Sequence, residues 1–170
     1  MISNSLSETK DLAKKFAATL QGGDVVLLSG ELGAGKTAFT KGLAEYFGIE
    51  KEITSPTFSL MNVYKIVIPA KAGIQSQNNT SETLDPRFHG DDSKANFVHI
   101  DTYRLKNEQE LIDIGVEDYL GAPDTICVIE WPNKIEKLLK DKKIITVVIE
   151  HVSENSRHIV IANEVKQSQN

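Results

Sequence analysis

The spacing of hydrophobic and polar residues predicts that the chain opens with an amphipathic helix over residues 6–20. Ser5 and Glu8 fit a capping box at its start, and Gly22 and Gly23 end it. The apolar stripe at helical spacing consists of Leu12, Ala13, Phe16, Ala17 and Leu20. One face of this helix is therefore expected to pack against a core.

Short apolar runs alternate with helical segments along the rest of the chain, which is typical of an α/β domain. Mostly apolar runs predict strands over residues 25–29, 97–100 and 125–129, and the first of these is expected to be buried on both faces. The remaining expected elements are helices over 38–47, 108–114 and 135–139, an extended segment over 58–64, and strands over 144–149 and 158–161. The short link between the last two strands predicts that they are antiparallel. The expected architecture has three layers: a mainly parallel sheet with late antiparallel strands, and helices flanking it.

Periodicity disappears between Lys65 and Asn96, where the residues are mostly polar or typical of turns. A structureless stretch of this length is unusual inside a compact domain, whereas the entropy of closing a surface loop grows only slowly with its length. We therefore predict one domain over residues 1–170 that carries a disordered insertion at about 66–95. A flexible tail is expected over 163–170.

The composition argues against several classes of protein but does not indicate a function. The chain of 170 residues is long enough for one domain with a core, and its net charge of −5 argues against holding nucleic acid by bulk electrostatics. The single cysteine, Cys127, lies in an apolar run and is expected to be a buried hydrophobic residue. No apolar stretch reaches the length of a membrane span, and no secretory signal is visible, so we expect a cytoplasmic protein.

The first chemical motif follows the strand predicted over residues 25–29. Residues 30–37 read G-E-L-G-A-G-K-T, the pattern of a phosphate-binding loop between a strand and a helix. Gly30, Gly33 and Gly35 permit backbone angles that let main-chain N–H groups converge on an anion, and the next helix directs its positive end there. Lys36 is expected to reach the β- and γ-phosphates of a nucleoside triphosphate, and the Thr37 hydroxyl is expected to ligate Mg²⁺.

Two acidic residues follow apolar strands and are candidates for a magnesium partner. Glu130 ends the run 126–129, and Asp101 ends the run 97–100. The carboxyl ends of parallel strands line one crevice, so both acids are expected near the nucleotide. Asp101 would alternatively orient the attacking water, and a metal pair with His99 lacks a third ligand.

A second loop lies about twenty residues after Lys36. Ser55, Pro56 and Thr57 stand where a nucleotide-sensing loop often lies, and Thr57 is a candidate contact to Mg²⁺ or the γ-phosphate; a simple capped turn is the alternative. Trp131, the only tryptophan, is expected to pack in the core, and its position makes it a candidate reporter of bound nucleotide.

Taken together, these motifs resemble one family. Residues 30–37 (GELGAGKT), 55–58 (SPTF), 99–105 (HIDTYRL) and 129–132 (IEWP), in this order behind a short helix, are similar to the TsaE (YjeE) family over roughly residues 5–64 and 97–160. Members are small bacterial P-loop ATPases. The resemblance implies that the chain binds ATP and Mg²⁺ and is a weak Mg-dependent ATPase. It also implies that the chain supports TsaB–TsaD-like proteins in forming threonylcarbamoyladenosine beside the anticodon of tRNAs that read codons beginning with A. Contact with tRNA would be indirect, and the chain would be monomeric on its own.

The resemblance also implies roles for individual residues. Asp101 would be essential for hydrolysis, Thr37 and Glu130 would serve magnesium, and Thr57 would lie in a mobile, switch-like segment. The phosphates would be cradled by Gly33, Ala34, Gly35, Lys36, Thr37 and Ala38. The start of the first helix, at Ser7 and Thr9, would touch the nucleotide, as would Arg157 near the chain end.

The chain departs from the family between residues 64 and 97, where about thirty residues replace a short link. Parts of this stretch and of the tail from Val160 resemble translated palindromic repeats. We therefore expect that His89, Asp91 and Asp92 belong to a repeat element without a function in this domain and do not form a metal site. Two other functions remain open at this stage. One is a small-molecule P-loop kinase, which requires an acceptor pocket, and the other is a non-catalytic switch that binds nucleotide and signals through a partner.

Overall fold

The computed structural model describes residues 1–67 and 95–163, which build a seven-stranded sheet with helices on both faces. The strands are β1 (Ile2–Ser3), β2 (Asp24–Ser29), β3 (Met61–Lys65), β4 (Asn96–Asp101), β5 (Thr125–Glu130), β6 (Lys143–His151) and β7 (Arg157–Asn163). The α-helices are α1 (Leu6–Ala17), α2 (Lys36–Tyr46) and α3 (Gln109–Asp113), with short 3₁₀ helices at Val116–Asp118 and Pro132–Lys134.

The strand order is β1-β7-β6-β2-β5-β4-β3. The four central strands, β6, β2, β5 and β4, are parallel, whereas β7, β1 and β3 join the two edges in antiparallel pairs. Every residue of β4 and β5 is buried, as expected for strands covered on both faces. The predicted α/β architecture and the late antiparallel pair are confirmed.

Each face of the sheet has its own hydrophobic core. One core packs α1 and α2 against Val26, Leu28 and Val128, and the other lies beneath α3 and the short helices. A Cβ at Gly42 of α2 would lie 2.5 Å from the Lys10 carbonyl oxygen, so α1 and α2 approach each other too closely for a side chain there. At the rim of this contact, Glu45 accepts ion pairs from Lys10 and Lys14.

Two local predictions were wrong, and one strand was missed. Residues 135–139 form successive turns with i→i+3 hydrogen bonds rather than a helix, although Ile135 and Leu139 are buried as their spacing predicted. The segment over 58–64 becomes a strand only at Met61, because Leu60 has a φ of +62° and its N–H bonds back to the Pro56 carbonyl oxygen. The two-residue strand β1 went unpredicted because it is too short to show a period.

The two ends of the predicted insertion are neighbours in the sheet. In the antiparallel pair β3–β4, Lys65 lies opposite Asn96, and the Ile66 N–H donates to the Ala95 carbonyl oxygen at 2.9 Å. The predicted insertion over 66–95 otherwise lies outside the described residues, as do the predicted tail after Asn163 and the histidine and aspartates at 89–92. Within the described part of the chain, no helix combines the length and the apolar character needed to cross a bilayer.

Candidate functional site

The phosphate loop turns from the end of β2 into α2 at the carboxyl edge of the parallel strands. Gly30, Gly33 and Gly35 have φ angles of +145°, +82° and +107°, as the motif predicted. Gly35 is the N-cap of α2 and has no side chain to cap the helix. The first N–H groups of α2 therefore have no capping side chain to bond, which is the arrangement that fits a phosphate.

Gly30 is also required by packing. A Cβ at this position would lie 2.2 Å from the carbonyl oxygen of Ile149 on β6. The corresponding position at Gly33 is open, since its nearest neighbour is Nε2 of His151 at 4.0 Å. The two glycines of one motif thus serve different ends: Gly30 lets the loop pass against β6, and Gly33 leaves space on the exposed side.

The Lys36 ammonium is held over the loop by main-chain oxygens and an aromatic ring. Its Nζ donates to the carbonyl oxygens of Gly30 at 2.8 Å and Glu31 at 2.9 Å, and it lies 3.7 Å from the ring centroid of Trp131. Burial lowers the pKa of Lys36 from the usual lysine value, while the negative charges of Glu130 and Asp101 oppose that shift. A phosphate at this loop would compete with the two carbonyls for the ammonium.

Thr37 and Glu130 meet although they are 93 residues apart in sequence. The Thr37 hydroxyl donates to Oε1 of Glu130 at 3.2 Å, and Nε2 of His99 lies 2.9 Å from the same oxygen. A hydroxyl and a carboxylate are the hard oxygen ligands that Mg²⁺ prefers, and Mg²⁺ in such sites completes its shell with water and substrate phosphates. Within residues 1–67 and 95–163, no group of three or more His, Cys, Asp or Glu side chains is arranged as a metal site. The residues present therefore fit a magnesium–nucleotide complex better than a metal held by protein alone.

Asp101 lies beside Glu130 in register and is bound to the second loop. Its Oδ2 accepts hydrogen bonds from the hydroxyls of Ser55 and of Thr57, the latter at 3.0 Å, and its Oδ1 accepts from the Tyr103 N–H at 2.9 Å. The carboxylate is 4% exposed. The structure thus joins the Ser55–Thr57 turn to the acid predicted to orient water, and places His99 on Glu130 rather than in a metal pair with Asp101.

Two residues distant in sequence, Arg157 and Leu6, lie beside the phosphate loop. Arg157 is buried, and its Nε donates to the Ala34 carbonyl oxygen at 3.2 Å. A Cβ at Gly35 would lie 3.4 Å from that Nε and 3.9 Å from a methyl carbon of Leu6. Leu6 at the start of α1 and Arg157 therefore lie beside the loop, and the predicted contacts of Ser7, Thr9 and Arg157 with the nucleotide stay predictions.

The two predicted nucleotide contacts on α1 differ in their surroundings. Ser7 is exposed, whereas Thr9 is fully buried. The Thr9 hydroxyl bonds to the Ser3 hydroxyl at 2.8 Å and to the Ser5 carbonyl oxygen at 3.1 Å. Thr9 thus fastens β1 to α1, which is a structural task that the sequence pattern did not indicate.

His151 was not among the predicted site residues, and Trp131, the predicted candidate reporter of nucleotide, lies elsewhere than in the core where it was expected to pack. His151 lies opposite Arg157 in the β6–β7 pair, so their side chains share a face, but the hairpin register that brings it to Gly33 is not a local signal. Trp131 has a φ of +61°, and its ring faces Lys36 and Tyr103 rather than the hydrophobic core in which it was expected. Cys127 is buried as predicted, and burial raises the pKa of its thiol to about 12, so it is chemically inert.

Comparison with known proteins gives the same assignment by sequence and by structure. The family model for the threonylcarbamoyl adenosine biosynthesis protein TsaE matches residues 3–159. The chain is 34% identical to the tRNA threonylcarbamoyladenosine biosynthesis protein TsaE of Bacillus subtilis over 89% of its own length and 77% of that protein. It is 35% identical to the TsaE protein of Rickettsia bellii, covering 96% of this chain and 94% of the relative.

A solved structure has the same fold. The crystal structure of Bacillus subtilis YdiB superposes with a TM-score of 0.65 at 28% sequence identity, and the match covers 95% of this chain and 82% of that one.

Proposed function

This chain belongs to the TsaE family of threonylcarbamoyl adenosine biosynthesis proteins, and from that premise we propose that it is the ATP-binding and ATP-hydrolysing subunit that supports TsaB–TsaD-like partners. The P-loop fold of the family implies nucleotide binding. The observation that carries the proposal is the Thr37–Glu130 hydrogen bond of 3.2 Å, with Asp101 opposite Glu130 on the next strand. It brings a phosphate loop, a magnesium-type oxygen pair and a second acid together.

The triphosphate would bind along the loop and the start of α2. Main-chain N–H groups of residues 33–38 would cradle it, and the Lys36 ammonium would exchange a carbonyl partner for a phosphate oxygen. Arg157 donates a hydrogen bond to the Ala34 carbonyl oxygen of the loop, and its positive charge would favour binding of the triphosphate. Ser7, which is exposed at the start of α1, would contact the remainder of the nucleotide, whereas the buried Thr9 would act only by holding the start of the helix in place.

Magnesium would be held by the Thr37 hydroxyl and the Glu130 carboxylate. When bound, the ion neutralises charge that develops on the phosphate oxygens. The threonine hydroxyl has both a proton and lone pairs, so it can keep donating to Glu130 while it offers oxygen to a cation. The Thr37–Glu130 contact is therefore compatible with the role proposed for both residues.

Hydrolysis would depend on Asp101. In this reaction a water oxygen forms a bond to the γ-phosphorus, the bond from that phosphorus to the bridging oxygen breaks, and ADP and inorganic phosphate leave. Asp101 would accept a hydrogen bond from the water and orient it. Because the hydroxyls of Ser55 and Thr57 both donate to Oδ2 of Asp101, we propose that a shift of the 55–57 turn would free this oxygen for the water. This gives Thr57 its switch-like role.

The proposal can be tested by measuring phosphate release from Mg-ATP. Lys36→Ala and Thr37→Ala should each remove turnover, whereas Thr37→Ser, which keeps the hydroxyl, should retain much of it. Lys41→Ala, on the same helix, is the matched lysine control. Unchanged hydrolysis in Lys36→Ala or Thr37→Ala would contradict the site assignment.

Two further measurements separate the proposed function from its alternatives. Phosphoryl transfer from ATP to an added metabolite, faster than hydrolysis, would favour a kinase. The chain, monomeric alone, should co-purify with a TsaB–TsaD pair in a manner that depends on ATP analogues, and with tRNA only through that pair. Absence of any nucleotide-dependent association would contradict the partner assignment.

A further inference from the structure

His99 is a polar side chain with no exposure, placed directly behind the proposed magnesium pair. It lies in the middle of β4. Every second residue of a strand points to the same face, so Phe97, His99 and Asp101 share the face covered by α2. Phe97 fills the core, and Asp101 reaches the site. His99 stands between them, where a hydrophobic residue would serve packing equally well.

Among the described residues, the imidazole has one hydrogen-bond partner, Glu130. Nε2 of His99 lies 2.9 Å from Oε1 of Glu130, whereas Nδ1 is buried and has no hydrogen-bond partner among the described residues. A carboxylate can only accept, so the proton of a neutral imidazole lies on Nε2 and is donated to Glu130. A buried nitrogen left unsatisfied costs free energy, which indicates that the ring is placed for the bond it does make.

The hydrogen bond from His99 falls on one of the two carboxylate oxygens of Glu130. Within residues 1–67 and 95–163, both hydrogen bonds that the Glu130 carboxylate accepts, from Thr37 and from His99, fall on Oε1. The other oxygen is left for a different partner. Thr37 belongs to the phosphate loop and would itself bind the cation, so His99 is the donor that holds the carboxylate from outside the nucleotide site.

We propose that His99 is the positioning residue of Glu130: its Nε2–H donates to Oε1 and holds the carboxylate in the orientation in which it would serve magnesium. This inference rests on the proposed function, because it takes Glu130 as the magnesium ligand. His99 itself touches neither nucleotide nor metal. Outer groups of this kind typically change metal affinity by about 10–100-fold when they are removed.

The test compares three proteins: wild type, His99→Leu and His99→Gln. Leucine fills much of the space without a donor, whereas the amide nitrogen of glutamine can donate from nearly the position of Nε2. Binding of a non-hydrolysable ATP analogue is measured by calorimetry, first in EDTA and then across a magnesium titration. Neither measurement needs turnover. Circular dichroism and thermal melting show which variants fold.

His99→Leu should bind the analogue in EDTA within about twofold of wild type but need about 10-fold or more magnesium for its half-maximal effect. His99→Gln should restore most of the magnesium response. An unaltered magnesium requirement in His99→Leu, or a His99→Gln protein as impaired as His99→Leu, would overturn the proposal. Should leucine prevent folding, His99→Asn, whose shorter amide cannot reach Glu130, is expected to show the same increased magnesium requirement.

A double-mutant cycle identifies the route of the effect. In a Glu130→Gln background, His99→Leu should change the magnesium requirement by less than about twofold, because the group that His99 positions has already lost its charge. A full additional effect in that background would show that His99 acts elsewhere, and the proposal would fail. Wild-type protein that binds Mg-ATP but releases no phosphate would instead contradict the proposed function and leave the His99 result standing.

Discussion

Replacing Gly30 by alanine is expected to damage the fold rather than the chemistry of the phosphate loop. Gly30 has a φ of +145°, and a Cβ there would lie 2.2 Å from the carbonyl oxygen of Ile149. The obstacle is main chain of a central strand, which cannot turn aside as a flexible side chain would. The matched control is Gly33→Ala, since Gly33 also has a positive φ, of +82°, but nothing nearer than 4.0 Å.

The size of the effect follows from two separate costs. A non-glycine residue in a backbone region reserved for glycine costs about 1–3 kcal/mol. Forcing β2 or β6 aside to remove the overlap costs about 1–3 kcal/mol more, as overpacking usually does. Gly30→Ala should therefore lose about 2–6 kcal/mol of unfolding free energy, whereas Gly33→Ala should lose only about 1–2 kcal/mol from its left-handed backbone.

Urea unfolding followed by circular dichroism measures both losses directly. For a domain of this size, each kcal/mol also lowers the melting temperature by about 2–4 °C. If the unfolding free energy of Gly30→Ala is no lower than that of Gly33→Ala, the close approach of residue 30 to Ile149 does not affect stability, and the prediction is refuted.

Three further predictions follow from the same structure. Replacing residues 68–94 by a short turn should leave folding and ATP binding nearly intact, because Ile66 and Ala95 already pair; a large drop in melting temperature would contradict this. Saturating ATP should change the emission of Trp131, since a phosphate competes for the ammonium that lies 3.7 Å from the ring; constant emission would refute it. Because burial lowers the pKa of Lys36, nucleotide affinity should be complete below that pKa and fall as pH rises through it, starting below the usual lysine range. Lys36→Arg should hold its affinity over the same pH series, and an equal fall in both proteins would assign the titration to another group.

The predictable parts of the fold are those whose sequence signal lies within a few neighbouring residues. The phosphate loop has fixed spacing, and Glu130 and Asp101 each follow an apolar run, so their placement at the ends of parallel strands was predictable. The false helix at 135–139 arose because Ile135 and Leu139 have helical spacing. The segment is too short to propagate a helix, and a positive φ at Asp141 ends it.

The parts that could not be predicted depend on contacts distant in sequence. The bond from Arg157 to Ala34 joins residues 123 positions apart, and the His99–Glu130 bond depends on the pairing of two strands. His99 and Asp101 could be considered together from the sequence, because they alternate on one strand. The structure shows instead that His99 contacts the acid of the neighbouring strand, because its Nε2 bonds Oε1 of Glu130 across the β4–β5 pair.

The central claim is that this site hydrolyses ATP and that Asp101, rather than the phosphate loop alone, makes hydrolysis possible. The most direct test measures ATP binding and phosphate release in parallel for wild type and Asp101→Asn, which is nearly isosteric and keeps one oxygen acceptor. Asp101→Asn should bind ATP within about threefold of wild type and release phosphate about 100-fold or more slowly, in the range that general acid–base groups contribute. Undiminished phosphate release from Asp101→Asn, or a wild-type protein that binds Mg-ATP and never hydrolyses it, would contradict the account.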